Sequence, residues 1–190
     1  EPYRRQRQMC IRDRYQALQS QLNPHFLFNS LNTLISEIGY NPENAILFTQ
    51  NLSDVYRYIL QCQQQRLVTL GSELEFLDSY VFLHRVRLGD CITVDCRLDE
   101  SLLEYRLPPL TLQLLAENVI KHNIISLRQP MVLSLSSEDE NWLVVSNSVR
   151  PKKSVQPSGM GLKNLASRYR LVCGQEIIIE KTTELFTVKI

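Results

Sequence analysis

The sequence predicts a helical hairpin over residues 1–66, followed by a two-layer α/β sandwich over residues 67–190. Three observations carry the prediction. Helical periodicity runs from about Arg12 to about Gln64 and is interrupted once, at Asn41-Pro42. Beyond Arg66, segments of period two alternate with segments of helical period. Proline and glycine stand at the joints between them. A chain of 190 residues has room for one large domain or two small ones. Its 44% hydrophobic content marks it as globular rather than disordered.

The first helix is read from about Arg12 to Gly39 and the second from about Pro42 to Gln64. Pro42 suits a first helical turn, where its missing N–H is no loss, and Asn41 is the expected N-cap. So short a connection makes the two helices antiparallel. Their apolar stripes (Leu27, Leu31, Leu34 and Ile38; Leu52, Val55 and Ile59) need partners that one hairpin does not supply, so a homodimer built as a four-helix bundle is expected.

The sandwich follows a polar break from Gln63 to Arg66. Ser72 and Glu75 have the spacing of a capping box, opening a helix that reaches about Leu88 and ends at Gly89-Asp90. Ile92, Val94, Cys96 and Leu98 alternate with polar residues as a half-buried strand does. Pro108 and Pro109 introduce a helix to about Ile124. Strands Met131–Ser136 and Trp142–Asn147 flank a charged turn. A loop with Pro151, Pro157 and Gly159 leads to a helix from about Leu162 to Cys173, with Gly174 as its C′ residue. Glu176–Lys181 and Leu185–Ile190 close the chain as a hairpin.

Charge and cysteine content narrow the function classes. Lys plus Arg (21) nearly equals Asp plus Glu (20), so no direct nucleic-acid partner is expected. Only the opening is biased, with Arg4, Arg5, Arg7, Arg12 and Arg14 against Glu1 and Asp13. A solvated helix start, a nucleic-acid arm and a membrane-flanking segment all fit that bias. The five cysteines include no CxxC pair, which gives zinc and thioredoxin-like readings no support and fits reduced thiols. No segment is apolar and long enough to span a bilayer. The chain opens without Met inside a helical pattern, and we expect a fragment of a longer protein.

Three groups of residues carry chemistry. In Asn23-Pro24-His25-Phe26-Leu27-Phe28-Asn29 a proline inside a helical pattern predicts a kink, freeing the carbonyl of Ser20. His25, Asn29, Asn32 and Ser36 share a stripe opposite the leucines, so His25 faces solvent or a docking partner. It reads either as an ordinary surface histidine or as a nucleophile. Along Leu112–Asn123, Leu112, Leu115, Ala116, Val119 and Ile120 form a buried arc, and Glu117, Asn118, Lys121 and His122 share the other. Those four read either as a solvated face with a Glu117–Lys121 pair or as groups converging on a phosphate and its metal, with Asn118 a neutral oxygen ligand for Mg²⁺. Ser158-Gly159-Met160-Gly161 precedes a helix, as a surface turn does and as a phosphate cradle does. Arg150, Lys152 and Lys153 stand in the loop before it.

Taken in order, these stretches resemble one family. The run from His25 to Asn32 resembles the phosphoacceptor motif of LytS/YehU-type sensor histidine kinases. Leu112 to His122 resembles the family's N-box. Gly159 to Asn164, with Arg168, resembles its second glycine box. The resemblance spans about Leu18 to Ile190. It implies a Bergerat-type (GHKL) ATP-binding fold for the sandwich, and phosphorylation of His25 from Mg-ATP. It also implies transfer onward to an aspartate in a response regulator receiver domain, often of a LytTR protein. The whole protein is then a dimer, with this chain as the cytoplasmic part of an inner-membrane protein anchored by helices upstream of Glu1.

Residue by residue, the resemblance makes His25 the acceptor and gives Glu117 an orienting or proton-accepting role. It makes Asn118 the Mg²⁺ ligand and turns Lys121 and His122 toward phosphates. Gly159, Gly161 and Leu162, with Asn164 nearby, would border the nucleotide. Some positions depart from the pattern. Phe26 stands where many histidine kinases have an acid after the acceptor, as is usual in this family. Asn147 and Val149 occupy the Asp and Gly of the adenine-reading box. Leu114, Val119 and Asn123 replace Pro, Ala and Gly in the N-box. An Asn oxygen still accepts from the adenine amino group, though more weakly than a carboxylate. A second reading, a catalytically degenerate dimeric scaffold with the same fold, draws on that replacement.

Overall fold

The computed structural model describes residues 23–138, 142–153 and 160–190. Helix α1 (Pro24–Tyr40) begins at Asn23, whose backbone lies in the left-handed region (φ 42°) while its side chain accepts from Phe26 N. Pro24 therefore fills the first turn, where a proline costs nothing, and is not the kink inside a longer helix that the periodicity predicts. The rest of that expected helix, from Arg12, lies outside the described residues, as do the basic opening and Cys10. Helix α2 (Pro42–Gln61) starts as the sequence indicates, with the Asn41 side chain accepting from Asn44 N.

The buried face of α1 differs from the expected stripe. Phe26 and Ser30 are buried, while Leu31 and Ile38 are 41% and 58% exposed. Phe26 sets the rotation of the helix. Its ring centroid lies 5.4 Å from that of Tyr80 and 5.6 Å from that of His84, both on α3 (Leu70–Leu88). Burying one aromatic ring in this way outweighs partly covering a leucine edge. On α2 the expected stripe of Leu52, Val55 and Ile59 is buried, and α3 lies against α2. It meets this chain's own α3, so it is not left over for a second copy.

The start of α3 also differs. Its cap is Thr69, whose side chain accepts from Ser72 N, one turn ahead of the expected Ser72–Glu75 box. Strand β1 (Val68–Thr69) pairs with β3 (Arg106–Leu107) and holds Thr69 extended at the helix entry. Strand β2 (Ile92–Arg97) follows Gly89, whose φ of 81° stops α3 where the sequence places the stop.

Helix α4 (Thr111–His122), strands β4 (Met131–Glu138) and β5 (Trp142–Ser148), helix α5 (Met160–Cys173) and strands β6 (Ile178–Lys181) and β7 (Leu185–Lys189) complete the chain. The larger sheet has the order β2-β4-β5-β7-β6, with β2 parallel to β4 and the other pairs antiparallel. Leu135, Val145 and Val188 stand in register across three strands on its buried face. The architecture is a helical hairpin plus a two-layer α/β sandwich, as the sequence predicts. Gly174 (φ 66°) closes α5, and the described cysteines Cys62, Cys91, Cys96 and Cys173 are all free. No described helix is long and apolar enough to cross a membrane.

Candidate functional site

Helix α4 is placed by a buried carboxylate. Glu73 on α3 has no exposed surface and accepts from Leu110 N (2.8 Å), Leu112 N (3.0 Å) and Tyr58 Oη (2.8 Å). It satisfies orphan donors at the N-terminus of α4, where negative charge is also favoured by the helix dipole. Burial pushes its carboxyl up, and the backbone donors, Tyr58 and Arg168 pull it back. Leu110, at φ 64°, is held in a region that L-residues avoid, so the turn into α4 relies on these bonds. Arg168 does not reach the candidate site. Its Nη1 donates to Pro109 O at 2.8 Å and supports the same turn.

The opposite end of α4 is tied down by Asn123. Its Nδ2 donates to Val119 O (3.0 Å) and its Oδ1 accepts from Arg150 N (2.8 Å), joining the helix end to the loop after β5. Lys152 adds a backbone bond to His122 O and an Nζ bond to Ile120 O. Helix α4 is thus clamped at both ends, and its polar rows are fixed in direction.

Those rows face two cavities. Asn118 and His122 form one row, and with Asn147 and Leu162 they line a cavity of about 220 Å³. Glu117 and Lys121 form the neighbouring row, about 100° round the helix. They line a second cavity, of about 460 Å³, together with His25. Four of the predicted residues therefore meet in the first cavity and three in the second, with α4 as the wall between. Gly161 and Asn164 are exposed and line neither. An added Cβ at Gly161 would make only ordinary contact with Leu114, so space does not require glycine there. Gly159 lies outside the described residues.

In the first cavity, Asn147 sits on β5 at a position facing the core, alternating with the buried Leu143 and Val145. Its Nδ2 donates to Ser148 O at 2.7 Å, and its Oδ1 is not among the buried polar atoms left without a partner. Burial, with the charges of Lys121, Lys152 and Lys181 around it, holds the His122 imidazole below its ordinary range and so neutral at pH 7. Lys181 and Phe186 also line this cavity and were missed in the sequence, where they read only as parts of a closing hairpin.

In the second cavity, His25 is exposed, and Asn29 Nδ2 stands 3.2 Å from its Nδ1 and 3.3 Å from its Nε2. Burial raises the Glu117 carboxyl, partly offset by the charge of Lys121, yet the two do not close an ion pair. The simple surface pair that their spacing allows is absent. Arg87 and His84 also line this cavity and were missed, because nothing in the period of α3 sets them apart. Among the described residues no cluster of His, Cys, Asp and Glu could hold a metal unaided.

A family model described as histidine kinase matches residues 13–92. The sensor protein LytS of Staphylococcus haemolyticus is 34% identical over 125 residues, covering 66% of this chain and 21% of that protein. The sensor histidine kinase YpdA of Escherichia coli is 31% identical over 188 residues, covering 92% of this chain and 33% of that protein. This chain thus spans 21% to 33% of the length of these curated relatives. Among solved structures, a histidine kinase domain from a blue-light activated histidine kinase of Erythrobacter litoralis is 18% identical at a TM-score of 0.45, covering 94% of each chain.

Proposed function

The chain belongs to the LytS-type sensor histidine kinases, and from that premise we propose that it phosphorylates its own His25 from Mg-ATP and passes the phosphoryl group to an aspartate of a receiver domain. The observation that carries the reading is the convergence on α4. One row of the helix faces a cavity floored by a buried amide, and the neighbouring row faces His25. On this reading residues 1–66 form the dimerising and phosphoacceptor unit, and residues 67–190 the ATP-binding unit.

The first cavity suits a purine ring better than a whole nucleotide, since whole small ligands usually fill about 300–1,000 Å³. Asn147 Oδ1 accepts from the adenine amino group, and Leu162 covers the ring. Asn118 and neutral His122 lie where phosphates and their metal need oxygen and nitrogen partners. Mg²⁺ would be held by Asn118 with phosphate oxygens, and would supply charge neutralisation on the phosphates. By resemblance, Gly159, Gly161 and Asn164 border the phosphates.

In the transfer step an imidazole nitrogen of His25 attacks the γ-phosphorus. The bond from that phosphorus to the bridging oxygen breaks, and its electron pair leaves with ADP. Glu117 takes the imidazole proton. Burial makes it a stronger base than an exposed glutamate, and it fills the role left open by Phe26. Asn29 orients the ring. The exposed Phe28, Ile35 and Ile38 of α1 and Ile46 and Leu47 of α2 support a homodimer through the hairpin. A response regulator, of LytTR type by resemblance, and anchoring of the whole protein in the inner membrane complete the proposal.

Incubation with γ-labelled ATP and Mg²⁺ tests it. The label should be acid-labile, and absent from His25→Gln while ATP still binds. One observation favours the scaffold reading: Asn147 offers adenine a neutral acceptor where a carboxylate would bind more strongly. Failure of the wild-type chain to bind ATP would decide for the scaffold.

A further inference from the structure

The cavity beside His25 has a charge balance that the purine contact does not account for. Arg87 from α3, Lys121 from α4 and Lys152 from the loop after β5 line it against one carboxyl, that of Glu117. Among the described residues none of the three cations forms an ion pair. Arg87 Nη2 meets only the neutral His84 Nδ1, at 3.0 Å, and Lys152 Nζ meets the carbonyl of Ile120. Arg87 and Lys152 are close enough that the charge of one disfavours the charge of the other. Cations gathered at a half-enclosed wall repel one another unless an anion sits among them. Neither Arg87 nor Lys152 lines the purine cavity of Asn118 and Asn147, although the charge of Lys152 reaches His122 there.

We propose that Arg87, Lys121 and Lys152 form a seat for the phosphoryl group carried by His25 of the same chain. The proposal rests on His25 as phosphoacceptor and adds two residues to that reading. A phosphoryl group on imidazole presents three acceptor oxygens and up to two negative charges near neutral pH. A guanidinium and two ammonium groups match both the charge and the donors it needs. His25 lines the cavity itself, so the seat is reached without a second copy of the chain. Arg87 and Lys152 are positioning residues for the product, and Lys152 also holds the end of α4 through Ile120 O.

Potassium phosphoramidate tests the seat without any nucleotide. Its phosphorus–nitrogen bond breaks as the bond to His25 forms, ammonia carries off the electron pair, and the imidazole proton goes to solvent. The phosphorus NMR signal lost in His25→Gln is then titrated against pH. In the wild-type chain the midpoint of the phosphoryl titration should lie about half a unit or more below that in Arg87→Gln or Lys152→Gln, because nearby cations favour the dianion. Arg87→Lys should restore part of the shift, which a purely structural role for Arg87 would not do. Coincident titrations in all the variants would overturn the proposal. So would a His25 that phosphoramidate cannot modify, since the cavity must admit the group. ATP labelling fails or succeeds separately: its loss with the shift intact would remove the kinase reading, and the reverse would remove the seat alone.

Discussion

Replacing Glu73 with glutamine separates the two oxygens on which the start of α4 depends. In the wild-type chain Oε1 accepts from Leu110 N and Tyr58 Oη, and Oε2 accepts from Leu112 N. A glutamine keeps one acceptor and turns an NH₂ group toward donors that were satisfied. Hydrogen bonds to a charged acceptor contribute about 1.5–3 kcal/mol each, and a buried donor left unpaired costs about 1–3 kcal/mol. Removing a buried charge returns part of this, because burial already disfavours the ionised carboxyl. The net expectation is a loss of about 2–4 kcal/mol. For a chain of this size that lowers Tm by about 5–15 °C. Thermal and urea unfolding followed by circular dichroism at neutral pH measure it, and ATP affinity should fall as well because α4 carries Asn118 and His122. A change in Tm below about 2 °C would refute the view that Glu73 holds this turn.

His84 gives a pH prediction. It is buried, and its pKa is pushed down to about 3 by burial and by the charge of Arg87. An unfolded histidine takes up a proton near pH 6.5, which the folded chain refuses, so stability should fall as pH drops below that value by up to about 1.4 kcal/mol per unit. Urea melts from pH 7 to 4.5 should show this slope, and it should flatten in His84→Phe. At Asn147, alanine should weaken ATP more than GTP. Asn147→Asp should tighten ATP about five-fold, as expected for about 1 kcal/mol from a charged acceptor. Equal ATP binding by Asn147→Ala and the wild type in calorimetry would show that adenine is not read there. Light scattering should find a dimer at micromolar concentration, and Ile35→Lys should shift it toward monomer; a wild-type monomer would count against the hairpin interface.

Much of this was legible because local chemistry and tertiary context agree. Asn41, Gly89 and Gly174 mark helix ends through backbone preferences that need no partner. Strands β4 and β5 alternate cleanly because one sheet face is buried, whereas Asn147 stood out only through the resemblance, which puts it at the Asp of the adenine-reading box. The errors fall where distant contacts decide. Phe26 rotates α1 because Tyr80 and His84, more than fifty positions along the chain, receive its ring. Thr69 caps α3 because β3 holds it extended, and a strand of two residues leaves no period to read. In the candidate site the rows of α4 could be grouped by helical spacing, which put Glu117, Asn118, Lys121 and His122 on one polar arc. The sequence did not reveal that the arc splits between two cavities, nor that Arg87 and Lys181 join them from elsewhere; Lys152 was singled out only as part of a basic loop able to cover an anion.

The central claim is that the imidazole of His25 receives the γ-phosphoryl group from a nucleotide whose purine is held on the far side of α4. Locating the phosphate by fragmentation mass spectrometry, after brief incubation with Mg-ATP at neutral pH, tests it most directly. The account predicts a phosphate on His25 and none on His84, which is buried, or on His122, which faces the other cavity. A phosphate on either of those histidines, or an unmodified His25 in a chain that binds ATP, would contradict it.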